Sequence, residues 1–258
     1  MKISVIHNLY EKNKWVNESV QYNVIALENA NIDYQYILFN DKGNKEIYND
    51  IKDLLTDKVE YHYSDINYGS GKCSGGWVGA IPLIKGDIVH NTGQDDVFTD
   101  QFYQEAIKTF ENPEIMFFTN NGIKAIETMD NQVGPLIHLN FNPDYEDPIS
   151  RFQEWFGIIN NEVTTANNGM LAPGTMYRKE LHNLIGKPSI EIFFGASDFE
   201  YWARILFYGY KGKYKSDPLW IYRQSNISLS NTASNHVPEC IEKIKEKYKK
   251  LWTEKMQS

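Results

Sequence analysis

Short apolar runs and helical patterns alternate along the first third of the chain, with polar turns between them. The β-branched run Ile3–Ile6 predicts a strand, and after a polar stretch Val16, Val20, Val24 and Leu27 recur at steps of three and four residues. That spacing places the four side chains on one face of an α-helix. The chain is therefore expected to begin with a strand, a loop and a helix.

The same order continues towards the middle of the chain. The aromatic and β-branched run Tyr34–Phe39 stops at Asn40–Gly43, whose Asx and glycine residues favour a turn, and a helical stretch covers Ile47–Leu55. Strand-like segments at 61–66 and 86–92 follow, with the glycine-rich stretch 67–80 between them. Alternating strands and helices predict an α/β protein with a mostly parallel central sheet and helices on both faces.

The second half has a less regular pattern. Residues 114–120 predict a strand, residues 131–148 a loop-rich region, and residues 171–186 a strand or turn that enters a helix. Residues 198–210 have the pattern of a buried amphipathic helix, and residues 238–256 predict a terminal amphipathic helix. The expected apolar stripe of that last helix consists of Ile241, Ile244, Tyr248 and Leu251.

Composition and charge narrow the class of protein. Of 258 residues, 41% are hydrophobic and 23% charged, which excludes a disordered chain. The formal charge of -8 disfavours a nucleic acid partner, because the molecule as a whole repels phosphodiester backbones. Cys73 and Cys240 indicate neither a disulfide framework nor a zinc site, which fits a cytoplasmic protein. Neither a signal-peptide core nor an apolar run of the roughly 20 residues that span a bilayer is present, so no transmembrane segment is expected.

Polar residues stand where three of the expected strands end, namely Asn8, Asp41 and the pair Asp95–Asp96. The carboxyl ends of parallel strands meet at one edge of a sheet, and ligands of such folds bind there. The binding site is therefore expected at this edge.

Asp95 and Asp96 are adjacent carboxylates close behind a strand. Like charges at this spacing repel one another unless they are solvated, paired or bridged by a cation, and hard oxygen ligands suit Mg²⁺ or Mn²⁺. One interpretation is a cation site that holds a diphosphate. The other is that one of the two residues caps the helix expected to begin near Thr99 and faces water.

A second acidic group stands at the start of the helix predicted for residues 198–210. Glu200 and Arg204 lie four residues apart, on one helical face, where they can form an ordinary ion pair. Asp198 lies at the helix entrance, where a carboxylate is either a cap or a general base aimed into a cleft. The local pattern leaves both roles open.

Taken in order, short motifs across residues 3–230 resemble the family-2 glycosyltransferases, which have the GT-A fold. No motif is specific by itself, whereas the ordered set is. It comprises Ile3–Ile6 with Tyr10, Asn40–Gly43, Gly86–Asp87 ten positions before Asp96, Ser197–Trp202, Tyr208–Lys211, and Pro218–Leu219 with Tyr222–Arg223.

This resemblance implies a Rossmann-like sheet within one glycosyltransferase domain at residues 1–235. Residues 1 to about 120 would form the nucleotide-sugar half and residues 121–235 the acceptor half. Residues 236–258 would form the C-terminal amphipathic helix, which either packs on the domain or makes peripheral contact with a membrane.

The resemblance also assigns roles to single residues. Asn8 and Tyr10 would line the pocket of the nucleotide base together with Asp41, Asp95 would coordinate Mn²⁺ or Mg²⁺, and Asp198 would be the catalytic base. Gly93 stands where the family has the first aspartate of its acidic motif, and Asp96 is the residue expected to compensate as a second metal ligand.

Three weaker candidates each keep a structural alternative. Lys72, in the glycine-rich stretch, is a candidate for donor phosphates or simply a solvated loop lysine. Arg223 is a candidate for donor phosphate or for an internal ion pair. Trp77 is a candidate for covering the sugar or a core residue.

The expected function is therefore transfer of a hexose-type sugar, with inversion, from a nucleotide donor to a carbohydrate acceptor, as in polysaccharide biosynthesis. A UDP-sugar is the favoured donor and a divalent cation the cofactor. One alternative is a non-catalytic relative that binds nucleotide or carbohydrate. Another is a sugar-phosphate nucleotidyltransferase, although residues 7–10 lack the glycine-rich, basic signature expected after its first strand.

Overall fold

A computed structural model describes residues 1–69, 75–127, 133–138, 145–166, 173–189, 196–224 and 237–257. Lys72 and Cys73 lie outside these ranges. The strands are β1 (Lys2–Leu9), β2 (Asp33–Asn40), β3 (Val59–Tyr63), β4 (Ile88–Thr92), β5 (Val97–Phe98), β6 (Ile115–Asn120), β7 (Ile123–Glu127), β8 (Val133–His138), β9 (Thr175–Arg178), β10 (Lys211–Lys215) and β11 (Trp220–Gln224). The helices are α1 (Val16–Asn29), α2 (Ile47–Ile51), α3 (Gly75–Ala80), α4 (Asp100–Phe110), α5 (Pro148–Trp155), α6 (Leu181–Leu184), α7 (Ser197–Phe207) and α8 (Val237–Gln257).

The larger sheet has the strand order β10-β6-β9-β4-β1-β2-β3. All of its strands run in one direction except β9, which is antiparallel to both β4 and β6. Strands β5, β11, β7 and β8 form a second, smaller sheet. The mixed α/β fold with a large, mostly parallel sheet flanked by helices confirms the predicted fold class.

Alternating side chains of the central strands point into two separate apolar clusters. Val5 and Tyr36 pack with α1, α2 and α4, whereas Ile6 and Ile37 pack with α3, α5, α7 and α8. Successive residues of a strand point to opposite faces, so the two clusters lie on the two faces of the sheet. The helices therefore cover both faces, as the sequence pattern predicts.

The C-terminal helix packs on the protein. The side chains of Cys240, Ile244, Tyr248 and Trp252 are buried at steps of four residues, and Ile241 and Leu251 lie partly buried beside them. The buried stripe therefore ends at Cys240 and Trp252, each one residue away from the predicted ends Ile241 and Leu251. The aromatic residues that a membrane contact would have used are buried, which favours packing over the membrane alternative. In the described part of the chain, no helix has the length and apolar content needed to cross a bilayer.

The irregular second half differs most from the prediction. Residues 131–148 are not all loop, because β8 lies within them and pairs antiparallel with β7. The sequence of β8, with Gly134 and Pro135, lacks the usual strand signature. Pairing with neighbouring strands, which local pattern does not reveal, also accounts for β10 and β11.

Candidate functional site

The register of the parallel strands brings the predicted donor-side residues to one edge. Leu9, near the end of β1, lies opposite Asn40 in β2, and His7 lies opposite Thr92 in β4. Asp41 directly follows β2, and the loop 93–96, here called the acidic loop, directly follows β4. The structure therefore places Asn8, Tyr10, Asp41 and the acidic loop at the same edge of the sheet.

The acidic loop folds back on itself around Gly93. The backbone N–H of Gly93 donates to Oδ2 of Asp96 at 3.1 Å. A Cβ atom on Gly93 would lie 2.8 Å from that same oxygen and 3.6 Å from Oδ1 of Asp95. The space of the missing side chain at position 93 is thus taken by the carboxylate of Asp96, and Asp95 approaches it as well.

Asp96 is a charged residue in an unusual setting. Its side chain is buried with the residue only 1% exposed, and its Oδ1 atom has no hydrogen-bond partner among the described residues. Burial, followed by the charge of Asp95, raises the pKa of Asp96 well above its usual value, although the Gly93 N–H and Arg223 oppose the shift. A bound cation would relieve both the burial penalty and the repulsion.

Neither carboxylate caps the following helix. The N-cap of α4 is Thr99, whose side chain accepts a hydrogen bond from the N–H of Phe102 at 3.2 Å. The alternative of a water-facing cap at Asp95 or Asp96 is therefore wrong. Oxygen donors are what Mg²⁺ and Mn²⁺ prefer, so this pair fits such a cation. No group of three potential metal-ligating side chains occurs within the described ranges, so water or phosphate oxygens would have to complete the coordination.

The end of β1 is fastened to the acidic loop. Asn8 donates through Nδ2 to Oδ1 of Asn91 at 2.9 Å and to the carbonyl of Thr92 at 2.7 Å. The N–H of Tyr10 donates to Oε1 of Gln94 at 3.2 Å. A hydrogen bond therefore joins two loops whose bonded residues lie 84 positions apart in the sequence.

Gln94 is a residue that the sequence analysis did not single out. Besides holding Tyr10, its carbonyl accepts a hydrogen bond from Oγ of Ser19, in α1, at 2.8 Å. It occupies the middle position of Gly93–Asp95, and only its place between two candidate residues could have marked it.

Asp41 is fully buried and holds another loop. Its Oδ1 accepts a hydrogen bond from the N–H of Tyr68, the second residue of the glycine-rich stretch, at 2.7 Å. Its own N–H donates to the carbonyl of Leu9 at 3.1 Å. Asp41 thus ties β1 to the segment that leads into α3, and its contact with a nucleotide base stays a prediction. Lys72 follows in that stretch, outside the described residues.

Arg223 reaches the acidic loop from the smaller sheet. Ile221 pairs with Val97 in antiparallel register, so Arg223 extends beyond β5 towards Asp95 and Asp96. Its Nη2 donates to Glu18 at 2.5 Å and its guanidinium lies 4.4 Å from the ring centroid of Trp15. The ion-pair alternative is therefore present. Its Nη1 atom is buried without a hydrogen-bond partner among the described residues.

Asp198 lies in the first turn of α7, one residue after its start. Its Oδ1 accepts a hydrogen bond from the N–H of Phe199 at 2.8 Å. Burial raises the pKa of Asp198 above its ordinary value, and the N–H of Phe199 opposes this. A carboxyl with a raised pKa is better suited to take up a proton near neutral pH.

Aromatic packing connects α7 with α3. Trp202 lies four residues after Asp198, on the same helical face, and its ring stacks on Trp77 of α3 with 5.7 Å between centroids. Trp77 is fully buried and donates through Nε1 to Oη of Tyr177 at 2.8 Å. Trp77 is therefore a core residue, and the proposal that it covers a sugar is wrong. The face of α7 that carries Asp198 is directed towards α3.

No family model matches the sequence, and no curated protein matches it. Solved structures, however, do match this chain. TarS from S. aureus in complex with UDP has a TM-score of 0.55 and 17% identity over 88% of this chain and 61% of that one. TarS in complex with UDP-GlcNAc has a TM-score of 0.55 and 13% identity over 87% of this chain and 59% of that one.

A mannosyltransferase structure gives a similar match. The mannosyltransferase PcManGT from Pyrobaculum calidifontis, in complex with GDP-Man and Mn²⁺, has a TM-score of 0.56 and 13% identity, over 85% of this chain and 56% of that one. The chain covers less than two thirds of the length of each of these structures. The chain therefore has a GT-A-like fold.

Proposed function

We propose that the protein transfers a hexose-type sugar from a nucleotide-sugar donor to a carbohydrate acceptor with a divalent cation as cofactor. The observation that carries this proposal is the acidic loop, in which the buried carboxylate of Asp96 is repelled by the partly exposed Asp95 at the carboxyl edge of β4. On a doubly wound sheet this is the edge at which ligands bind. The similar structures are complexes of TarS with UDP or UDP-GlcNAc and of PcManGT with GDP-Man, which supports a nucleotide sugar as the donor here.

Asp95 and Asp96 would hold the cation. A bound Mn²⁺ or Mg²⁺ would neutralise the charge that develops on the departing diphosphate. Arg223 stands beside the pair, and its guanidinium would add positive charge for the phosphates. Asn8, Tyr10 and Asp41 would form the wall of the base pocket, and Lys72 would approach the phosphates from the glycine-rich stretch.

Asp198 would act as the base in a single displacement. Its carboxylate takes the proton of the acceptor hydroxyl while that oxygen forms a bond to the anomeric carbon. The bond from the anomeric carbon to the diphosphate oxygen breaks at the same time, so the configuration inverts. A UDP-sugar is the donor that we expect.

Nucleotide-sugar turnover tests the proposal. The protein is offered UDP- and GDP-sugars with Mn²⁺, Mg²⁺ or a chelator, and both nucleotide release and unfolding temperature are measured. We expect one preferred donor, with release and stabilisation that both depend on the cation. Asp198→Asn should lower release about 10²- to 10⁴-fold, and Asp95→Ala should remove the cation response.

The matched control is Asp100→Asn, because Asp100 is an exposed carboxylate in the first turn of α4 and close to Asp95 in sequence. It should leave both readouts unchanged. Donor binding without any nucleotide release would instead identify a non-catalytic binding protein. Formation of a nucleotide sugar from a nucleoside triphosphate and a sugar phosphate would identify a nucleotidyltransferase.

A further inference from the structure

Helices α7 and α8 meet at one buried carboxylate, that of Glu200. Arg204 binds it with Nε at 3.1 Å and with Nη2 in an ion pair. From α8, Lys247 forms a second ion pair with it, and Oη of Tyr248 donates to Oε1 at 3.1 Å. Glu200 is 0% exposed, so these donors replace all of its contact with water.

The cluster also reaches the connection that precedes α7. Nη1 of Arg204 donates to the carbonyls of Ile185 at 2.9 Å and Lys187 at 3.0 Å, directly after α6. Oη of Tyr248 lies 3.3 Å from the carbonyl of Glu200 itself. The backbone of the first turn of α7 is thereby fixed from two sides.

Glu200 and Asp198 point in different directions from that turn. An α-helix advances about 100° per residue, so side chains two positions apart diverge by roughly 200°. Glu200 therefore anchors the face of α7 opposite Asp198. A shift or rotation of the turn at Glu200 moves Asp198 by a comparable amount, because one helical turn carries both.

We propose that Lys247 and Tyr248 of α8 are positioning residues for Asp198, which they hold in place through Glu200. This inference rests on the proposed function, in which Asp198 is the base. It makes α8 part of the acceptor side of the site, although α8 is separated from α7 by about thirty residues of sequence. Displacement of a catalytic group by about 1 Å can lower the rate about 10²-fold. Loss of the contact between α8 and Glu200 should therefore lower the turnover rate.

The docking of α8 does not depend on these polar contacts alone. Cys240, Ile244 and Trp252 are buried against the core on the same helix. A variant that removes one polar contact should therefore keep α8 in place while freeing the first turn of α7. This separates positioning from folding.

The test compares Lys247→Met and Tyr248→Phe with Lys250→Met, a change on the exposed side of α8. For each full-length variant, kcat and donor KM for sugar transfer, the affinity for the nucleoside diphosphate, and the pH profile of kcat are measured at a temperature where it is folded. We expect kcat to fall about 10- to 100-fold in the first two variants. The donor KM and the diphosphate affinity should stay unchanged, because Lys247 and Tyr248 act on Glu200 of α7, whereas the donor is proposed to bind at the acidic loop.

Lys247→Arg should restore kcat, since it keeps the cation beside Glu200. The acid side of the kcat profile should not move in Lys247→Met, because Lys247 pairs with Glu200, whereas only backbone N–H donors oppose burial at Asp198. Tyr248→Phe removes only one hydroxyl and provides the test if Lys247→Met does not fold.

A wild-type kcat in both folded variants, or an equal loss in Lys250→Met, would overturn the inference while the proposed function stands. If instead the wild-type protein transfers no sugar, or Asp198→Asn is fully active, the proposed function fails and the positioning role fails with it.

Discussion

A side chain at position 93 and the carboxylate of Asp96 would occupy the same space. We therefore expect the effects of substitutions at these two positions on stability to depend on each other. Gly93→Ala places a Cβ atom 2.8 Å from Oδ2 of Asp96, which is closer than real Cβ contacts allow. The φ angle of Gly93 is not in the left-handed region, so the conflict is one of space and not of backbone strain. The carboxylate must move and lose its bond to the Gly93 N–H.

The size of the effect follows from these two losses. Overpacking costs about 1–3 kcal/mol and a hydrogen bond to a charged group about 1.5–3 kcal/mol. With partial relaxation, Gly93→Ala should lower the free energy of unfolding by about 2–4 kcal/mol. For a chain of this size that corresponds to roughly 4–16 °C in unfolding temperature.

The double variant Gly93→Ala/Asp96→Ala should regain part of this loss, since the atom that the new Cβ meets is gone. We expect a coupling of about 1–3 kcal/mol in a double-mutant cycle measured by urea unfolding. The matched control is Gly93→Ala/Asp95→Ala, because Oδ1 of Asp95 lies 3.6 Å from the same point, at an ordinary contact distance. A double variant no more stable than Gly93→Ala would refute the shared space.

The same pair can be exchanged to test cation binding. In Gly93→Asp/Asp96→Ala a carboxylate enters the same space from position 93 and joins Asp95. The exchange variant should recover the rise in unfolding temperature with Mn²⁺ that Asp96→Ala lacks. A Mn²⁺ response in Asp96→Ala equal to that of the wild type would show that Asp96 is not a ligand.

Three further predictions follow from buried groups near the site. Burial lowers the pKa of His7 from 6.5 to about 3, so the unfolded chain binds a proton that the folded chain does not, and stability should fall as the pH drops from 6.5 towards 3. At pH 5 the burial of neutral His7 lowers the free energy of unfolding by about 2 kcal/mol. In urea unfolding, His7→Gln should abolish this loss, whereas the control His62→Gln, in the partly exposed strand β3, should not. Because the pKa of Asp198 is raised, kcat for transfer should fall on the acid side at a pH above the ordinary range of aspartate, and an acid side no higher than that range would contradict this. Trp77→Phe should cost about 1–3 kcal/mol in unfolding free energy, since it leaves Oη of Tyr177 without its indole donor, and unchanged stability would contradict the core role.

The strands of the regular first half could be predicted because each one is marked by a local sequence pattern. Ile3–Ile6 and Tyr34–Phe39 are apolar runs that end in turn residues, and the structure has strands at both places. The meeting of Asp41 with the acidic loop at one edge followed from parallel order alone, since parallel strands share their carboxyl edge. Strand β8 could not be predicted in the same way, because its stability depends on pairing with β7.

The detail of the site depended on contacts that local pattern does not contain. The sequence shows that position 93 lacks a carboxylate, but only the fold shows that Asp96 turns back into that space. Likewise, helical spacing predicted the pair of Glu200 and Arg204, whereas Lys247 joins it from a distant segment. Long-range partners of this kind decide which carboxylates are balanced by cations.

That balance separates the roles of the carboxylates. Burial acts on Glu200 to raise its pKa, yet the bonds and charges of Arg204 and Lys247 outweigh it and hold the pKa below the usual value. Two residues earlier, Asp198 has only backbone N–H donors to oppose burial, and its pKa is raised. A carboxylate already balanced by two cations gains little from a proton or a further cation, whereas one held in a desolvated site without such balance gains from either. The contrast within one helical turn therefore makes Glu200 the anchor and Asp198 the group suited to accept a proton from an acceptor hydroxyl.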